Sequence, residues 1–185
     1  MPENHNENPW LETIKTLALS AVLAFGVRTF VAEARYIPST SMLPTLEVND
    51  RLLVEKVGYR FSPPERGEIV VFNATEELKR QGYDEAFIKR IIGLPGETIR
   101  VDNGIVYVDG EPLKEKYIAE QPNYTFGPVS VPDDHYLVLG DNRNNSLDSH
   151  SWGFVPSENI IGRAAIRFWP LNRIGTIEEP SYPEQ

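Results

Sequence analysis

Three segments carry side chains whose types and spacing could perform acyl transfer. The first, Pro38 to Leu46, reads Pro-Ser-Thr-Ser-Met-Leu-Pro-Thr-Leu and sets hydroxyls between two prolines. Proline fixes φ, so the backbone there is ordered at little entropic cost, as a nucleophile loop requires. The same composition builds turns and caps, which leaves Ser41 either a nucleophile or a turn hydroxyl on this segment alone. The second, Phe87 to Glu97, holds Lys89 and Arg90 among isoleucines. In a strand, alternation would set Phe87, Lys89 and Ile91 on one face and Ile88, Arg90 and Ile92 on the other. A lysine so flanked loses hydration, and desolvation lowers an ammonium pKa by up to about 3–5 pH units. Starting from about 10.4, a drop of about 2–3 would make it a usable general base near neutrality. A lysine snorkelling from an edge strand is the other reading of the same residues.

The third segment, Gly140 to Gly153, is rich in Asp, Asn and Ser. It is not a calcium loop, since Arg143 stands at the third ligand position and no glycine at the sixth. Asp148 and His150 could belong to a Ser-His-Asp triad, but nothing in the sequence places either beside Ser41. The Ser-x-x-Lys signature of penicillin-binding proteins fails because Pro44 occupies the lysine position.

These segments need a scaffold. Trp10 to Ala34 is expected to be a helix with an apolar centre at Leu17 to Val27, flanked by Lys15 and Arg28. At about 100° per residue, Glu12 and Lys15 fall on one side and Arg28 nearly opposite, so no polar stripe survives. That pattern fits a transmembrane span with charges at its ends better than an interfacial or core helix. No small-residue cleavage site follows, which disfavours a removed signal peptide, and the flanking charges do not set an orientation. Strands are expected at Arg51–Val57, Glu68–Phe72, Phe87–Ile92, Tyr136–Leu139 and Ile161–Phe168. A hairpin should join Thr98–Val101 to Ile105–Val108 through Asp102-Asn103-Gly104, residues suited to positive φ. Thr75 to Glu85 reads as a charged loop or short helix, and the chain from Glu178 as a disordered tail.

Composition narrows the function. Thirteen glycines, fifteen prolines and recurrent Val, Ile, Tyr and Phe among 185 residues point to a mainly β protein. A net charge of −9 opposes nucleic-acid binding. Without cysteine there is no thiolate chemistry, and His5, His135 and His150 lack ligand spacing, so neither metal nor cofactor is expected.

In this order the segments resemble the type I signal peptidases, the Ser/Lys leader peptidases of bacterial membranes. Pro38 to Leu46 is similar to that family's nucleophile box, Asp50 to Tyr59 to the strand after it, and Arg66-Gly67-Glu68 to the lead into the next. Lys89 to Glu97 is similar to its general-base box and Gly140 to Gly153 to its last. The resemblance implies an antiparallel β-sheet fold with one N-terminal membrane helix and a small inserted β module. The implied divisions are a polar tail at 1–9, a span at 10–34, a catalytic domain at 35–98 and 132–177, the insertion at 99–131, and a tail at 178–185. It implies Ser41 as nucleophile and Lys89 as base, with Ser39 and the Ser41 N–H as the oxyanion hole. Ser146 would orient the Lys89 amine, Asp141 would pair with Arg90, and Asp148 would brace the loop carrying Ser146. Tyr36 and Ile37 could line a substrate pocket. The implied substrates are exported precursors cut after Ala-x-Ala on the exported side of a plasma or thylakoid membrane, with membrane lipid and the export machinery as partners. His150 departs from the arginine that many bacterial members carry there. With Asn144, Asn145 and Ile160 to Arg163 it resembles the photosynthetic branch. Two other readings stand beside this one: a non-enzymatic membrane-tethered β module, and a self-cleaving repressor of the Ser/Lys type, which would need a DNA-binding domain in place of residues 10–34.

Overall fold

The computed structural model describes residues 9–180 and 182. It opens with helix α1 (Pro9–Phe30), whose 22 residues include none that is buried and whose most apolar stretch has a mean hydropathy of 1.4. At a rise of about 1.5 Å per residue such a helix matches the roughly 30 Å hydrocarbon thickness of a bilayer. The expected helix to Ala34 stops earlier. Ala32–Tyr36 forms strand β1, because its backbone pairs antiparallel with β2 (Arg51–Glu55), from Ala32 opposite Glu55 to Tyr36 opposite Arg51. The chain turns into the sheet rather than prolonging the helix, and a single residue, Val31, separates the two elements.

The chain continues through β3 (Ile69–Phe72), α2 (Glu76–Arg80), β4 (Phe87–Gly93), β5 (Thr98–Asp102), β6 (Ile105–Val108) and β7 (Glu111–Pro112). Then come β8 (Phe126–Ser130), β9 (His135–Leu139), α3 (Ser149–Trp152), β10 (Val155–Pro156), β11 (Ile160–Trp169) and β12 (Gly175–Thr176). One sheet runs β1-β2-β11-β3-β4-β9-β10 with β12 on β11, and a second runs β7-β6-β5-β8; every pairing is antiparallel. The predominance of antiparallel β-structure behind one apolar helix agrees with the fold class read from composition. The hairpin turn consists of Asn103 and Gly104 at φ 50° and 78°, with Asp102 drawn into β5 opposite Ile105. Thr75 decides the ambiguous charged stretch as a helix start, its hydroxyl accepting from Leu78 N at 3.3 Å.

Strand β4 is the spine. Its alternate residues enter different clusters, Phe87 and Ile91 with Val70, Phe72 and Val138, Ile88 with Leu52 and Ile69, and Ile92 with Ile99 and Leu137. Each fully buried Ile or Val contributes about 1.5–3 kcal/mol, so the register of β4 is strongly specified. The second sheet shares its core with β4 and β9 through Ile92, Leu137 and Leu139, which packs residues 98–130 against the main sheet. The expected tails lie partly outside the described residues. Within them the C-terminal stretch is packed, with Ile177 in the core and Tyr182 donating its hydroxyl to that of Tyr117 at 3.0 Å. It is ordered because Ile177 N–H also bonds the Ala165 carbonyl at 3.0 Å, a tertiary contact that its acidic, proline-containing sequence does not announce.

Candidate active site

Ser41 sits in a loop whose shape is set by packing. Met42 and Leu46 are fully buried beside Ile37, and Leu46 N–H bonds the Met42 carbonyl at 2.9 Å. The serine between such anchors is 8% exposed and has little freedom to move. Ile37 is itself a core residue, 2% exposed, while Tyr36 lies 53% exposed with its hydroxyl on Asn49. Ile37 therefore offers almost no surface to a substrate.

Lys89 enters from β4 opposite Val70. Its Nζ lies 2.9 Å from Ser41 Oγ and 2.9 Å from the Ile88 carbonyl, with the Phe87 ring 5.6 Å away. Burial lowers its pKa to about 8, against the opposing pull of the Asp148 and Asp141 carboxylates. A buried amine that is half neutral near pH 8, in contact with a serine hydroxyl, can take a proton from it.

The hydroxyls of Ser39 and Ser41 are 3.3 Å apart. Ser146 Oγ is buried and makes no hydrogen bond among the described residues, so the expected contact to Lys89 is not made in this conformation. It packs instead against Gly140. A β-carbon at Gly140 would lie 2.5 Å from the Ser41 carbonyl oxygen and in collision with the Ser146 side chain. Only glycine lets the two loops close. Gly140→Ala is therefore expected to reduce kcat about 100-fold, as an ångström-scale displacement at a reacting centre does. Steady-state kinetics on the folded variant check this, and an unchanged kcat would show that the loops shift at no cost.

Arg90 leaves β4 on the opposite face and meets Asp141 with both groups shut off from solvent. Its Nε and Nη2 donate to the carboxylate at 2.8 and 2.6 Å, and Nη1 donates to the Gly67 carbonyl at 2.6 Å. Thr45, from the loop that carries Ser41, donates its hydroxyl to the same carboxylate. Asp148 is fully buried and accepts from Gly140 N–H at 2.9 Å, and its other oxygen lies 2.7 Å from His150 Nδ1. The His150 ring in turn stacks on Tyr124 at 4.3 Å. Asn142 escaped the sequence reading. Its N–H donates to the Ser41 carbonyl at 3.0 Å and its side-chain amide to the Thr40 carbonyl at 3.1 Å, tying the last segment to the first. An Asn in a loop of Asp, Asn and Ser carries no local sign of such a partner.

The structure thus unites Ser41, Lys89, Ser39, Asp141, Arg90 and Asp148, with Ser146 adjacent, around a desolvated Lys–Ser pair. The family described as signal peptidase, peptidase S26, matches residues 10–169, which takes in all of these. The chain belongs to that family.

This signal peptidase is 64% identical over 176 residues to signal peptidase I of Leptolyngbya laminosa, covering 94% of this chain and 87% of that protein. It is 61% identical over 182 residues to probable signal peptidase I-2 of a Synechocystis species, covering 98% and 84%. It is 42% identical over 168 residues to the probable chloroplastic thylakoidal processing peptidase 2 of Arabidopsis thaliana, covering 90% of this chain and 46% of that protein. The resemblance to the photosynthetic branch agrees with these matches. Accordingly this signal peptidase is a membrane-associated serine peptidase that removes signal peptides from precursor proteins.

Proposed function

We propose that Ser41 is the nucleophile and Lys89 the general base of this signal peptidase, and that it cuts exported precursors after Ala-x-Ala. The 2.9 Å separation of Lys89 Nζ and Ser41 Oγ, inside a site that burial has dried, is the observation that carries the reading. Neutral Lys89 accepts the Ser41 proton as Oγ attacks the scissile carbonyl. The resulting ammonium then delivers that proton to the departing amine, leaving an acyl ester on Ser41. Lys89, neutral again, deprotonates a water that opens the ester, and returns the proton to Ser41. The Ser39 hydroxyl and Ser41 N–H would receive the oxyanion, each such donor being worth about 2.7–4 kcal/mol. Ser146, with a free buried hydroxyl, would bond the amine once substrate tightens the site.

Asp141 and Arg90 act structurally from behind β4, and Asp148 braces the loop of Ser146. Residues 35–98 and 132–177 would form the catalytic domain and residues 99–131 its insertion. Helix α1 would cross a plasma or thylakoid membrane, leaving the catalytic sheet on the exported side and near the export machinery. Two features support close apposition to the bilayer. Only Val31 separates the span from the sheet, and Tyr36, Trp169, Leu171 and Ile174 expose 53%, 44%, 69% and 57% of their surfaces, which suits contact with lipid.

The test is cleavage of a synthetic precursor by the detergent-solubilised chain, with the new N-terminus mapped by mass spectrometry. A single cut after Ala-x-Ala is expected, with kcat/KM rising through an apparent pKa of about 8 as Lys89 loses its proton. A rate that is level from pH 6 to 10 would remove Lys89 from the role of base.

A further inference from the structure

Glu115 lies in the connection between β7 and β8 of the second sheet, yet its carboxylate is buried against the catalytic loop. It accepts from Arg143 Nη1 at 2.8 Å and Nη2 at 2.5 Å, and the two side chains are 5% and 0% exposed. The remaining Arg143 Nε–H donates to the Gly140 carbonyl at 3.0 Å. Gly140 is the glycine on which Ser146 and the Ser41 carbonyl close, and its own N–H is held by Asp148. Tyr117 donates its hydroxyl to Glu115 at 2.8 Å and lays its ring 4.1 Å from the Arg90 guanidinium. Beyond it, the Tyr182 hydroxyl donates to Tyr117.

Removing both an arginine and a glutamate from water is costly, and apolar residues of similar volume often stabilise a core as well or better. The forked pairing offers something that apolar packing does not. Two parallel bonds orient the guanidinium plane and so fix where its third donor points. Here that donor points at Gly140.

We propose that Glu115 is a positioning residue for the cleavage reaction. Through Arg143 it sets the Gly140 peptide, and with it the loop that presents Ser146 and Asn142 to the Ser41–Lys89 pair. Residues of the second sheet thereby govern the geometry of a site they do not enter. The proposal rests on the dyad reading of Ser41 and Lys89.

The test uses the full-length chain in detergent with a synthetic precursor peptide, rates being expressed per folded molecule by tryptophan fluorescence. Glu115→Gln keeps the shape but turns one acceptor into a donor facing Arg143. It is expected to lower kcat about 10- to 100-fold with KM within about twofold, since Glu115 reaches no substrate. Tyr117→Phe, which removes one bond to Glu115, should lower kcat a few-fold. The double variant Glu115→Leu/Arg143→Met separates positioning from stability: its thermal midpoint should recover toward that of the parent while kcat stays low. Recovery of kcat together with the midpoint would overturn the proposal, as would a Glu115→Gln enzyme with full kcat. Should the double variant not fold, Arg143→Lys decides, because it keeps the charge and loses the fork; full kcat there also overturns the proposal. Ser41→Ala run in parallel distinguishes the two levels. Cleavage by Ser41→Ala defeats the dyad reading, whereas an inactive Ser41→Ala beside a fully active Glu115→Gln defeats only the role of Glu115.

Discussion

Ser41→Ala and Lys89→Met are each expected to lower precursor cleavage by about 10⁴-fold or more, because removing either half of the proposed nucleophile–base unit removes nearly all that such a unit does. The two should differ in stability. In the unfolded chain Lys89 titrates at its ordinary 10.5, and burial in the folded chain lowers this to about 8. Between those values the unfolded state binds more protons, so the stability of the parent rises with pH across that window. Below pH 8 the fold carries the full cost of a buried ammonium, about 3 kcal/mol for a difference of that size. Methionine removes the cost but also the two hydrogen bonds of the amine, worth about 0.5–1.5 kcal/mol each. Lys89→Met should therefore be more stable than the parent by about 1–2 kcal/mol at pH 7, and the advantage should be gone by pH 10.5, where Lys89 is neutral in the fold and only half protonated in the unfolded chain. Urea titrations at pH 7 and pH 10.5 measure both numbers. A Lys89→Met variant less stable than the parent at pH 7 would mean that the amine is not desolvated, and the basis for its low pKa would go with it. Ser41→Ala, which leaves the ammonium in place, should show no such pH-dependent gain.

The alternation of Lys89 and Arg90 was legible because a strand of isoleucines has one period and both faces are buried, so chemistry and structure fall on opposite sides of a single element. The Asn103-Gly104 turn was legible because positive φ restricts residue type. The meeting of Ser41 with Lys89 was not a matter of pattern at all. It joins positions 48 apart, and only the resemblance of ordered boxes to a family predicted it. Strand β1 was hidden because Val31, Ala32 and Ala34 extend the helix's apolar composition past Phe30 with only Glu33 between them, and only the free backbone edge of β2 decides that the segment pairs rather than coils. Strand β8 contains Gly127-Pro128, which argues against a strand locally, and β7, β10 and β12 are two residues long. Glu115 and Arg143, 28 positions apart, gave no signal, since a buried ion pair between two loops has neither a period nor a composition.

The buried pair behind β4 should produce the largest loss of stability. Arg90→Met would strand the Asp141 carboxylate in a site fully closed to solvent, with the Thr45 hydroxyl as its remaining side-chain donor. Removing one partner of such a pair costs about 3–5 kcal/mol, a large share of the roughly 5–15 kcal/mol available to a domain. The damage should also reach the chemistry, because Asp141 joins its own loop, which carries Ser146, to the Ser41 loop that supplies Thr45. The double variant Arg90→Met/Asp141→Leu removes both charges and is expected to recover most of the stability, as apolar replacements of buried pairs commonly do. Denaturant midpoints at constant m give both values. If Arg90→Met lost less than about 1 kcal/mol, the guanidinium would have to be solvated in solution, and Arg90 and Asp141 could not be the joint that fixes the two loops against the far side of β4.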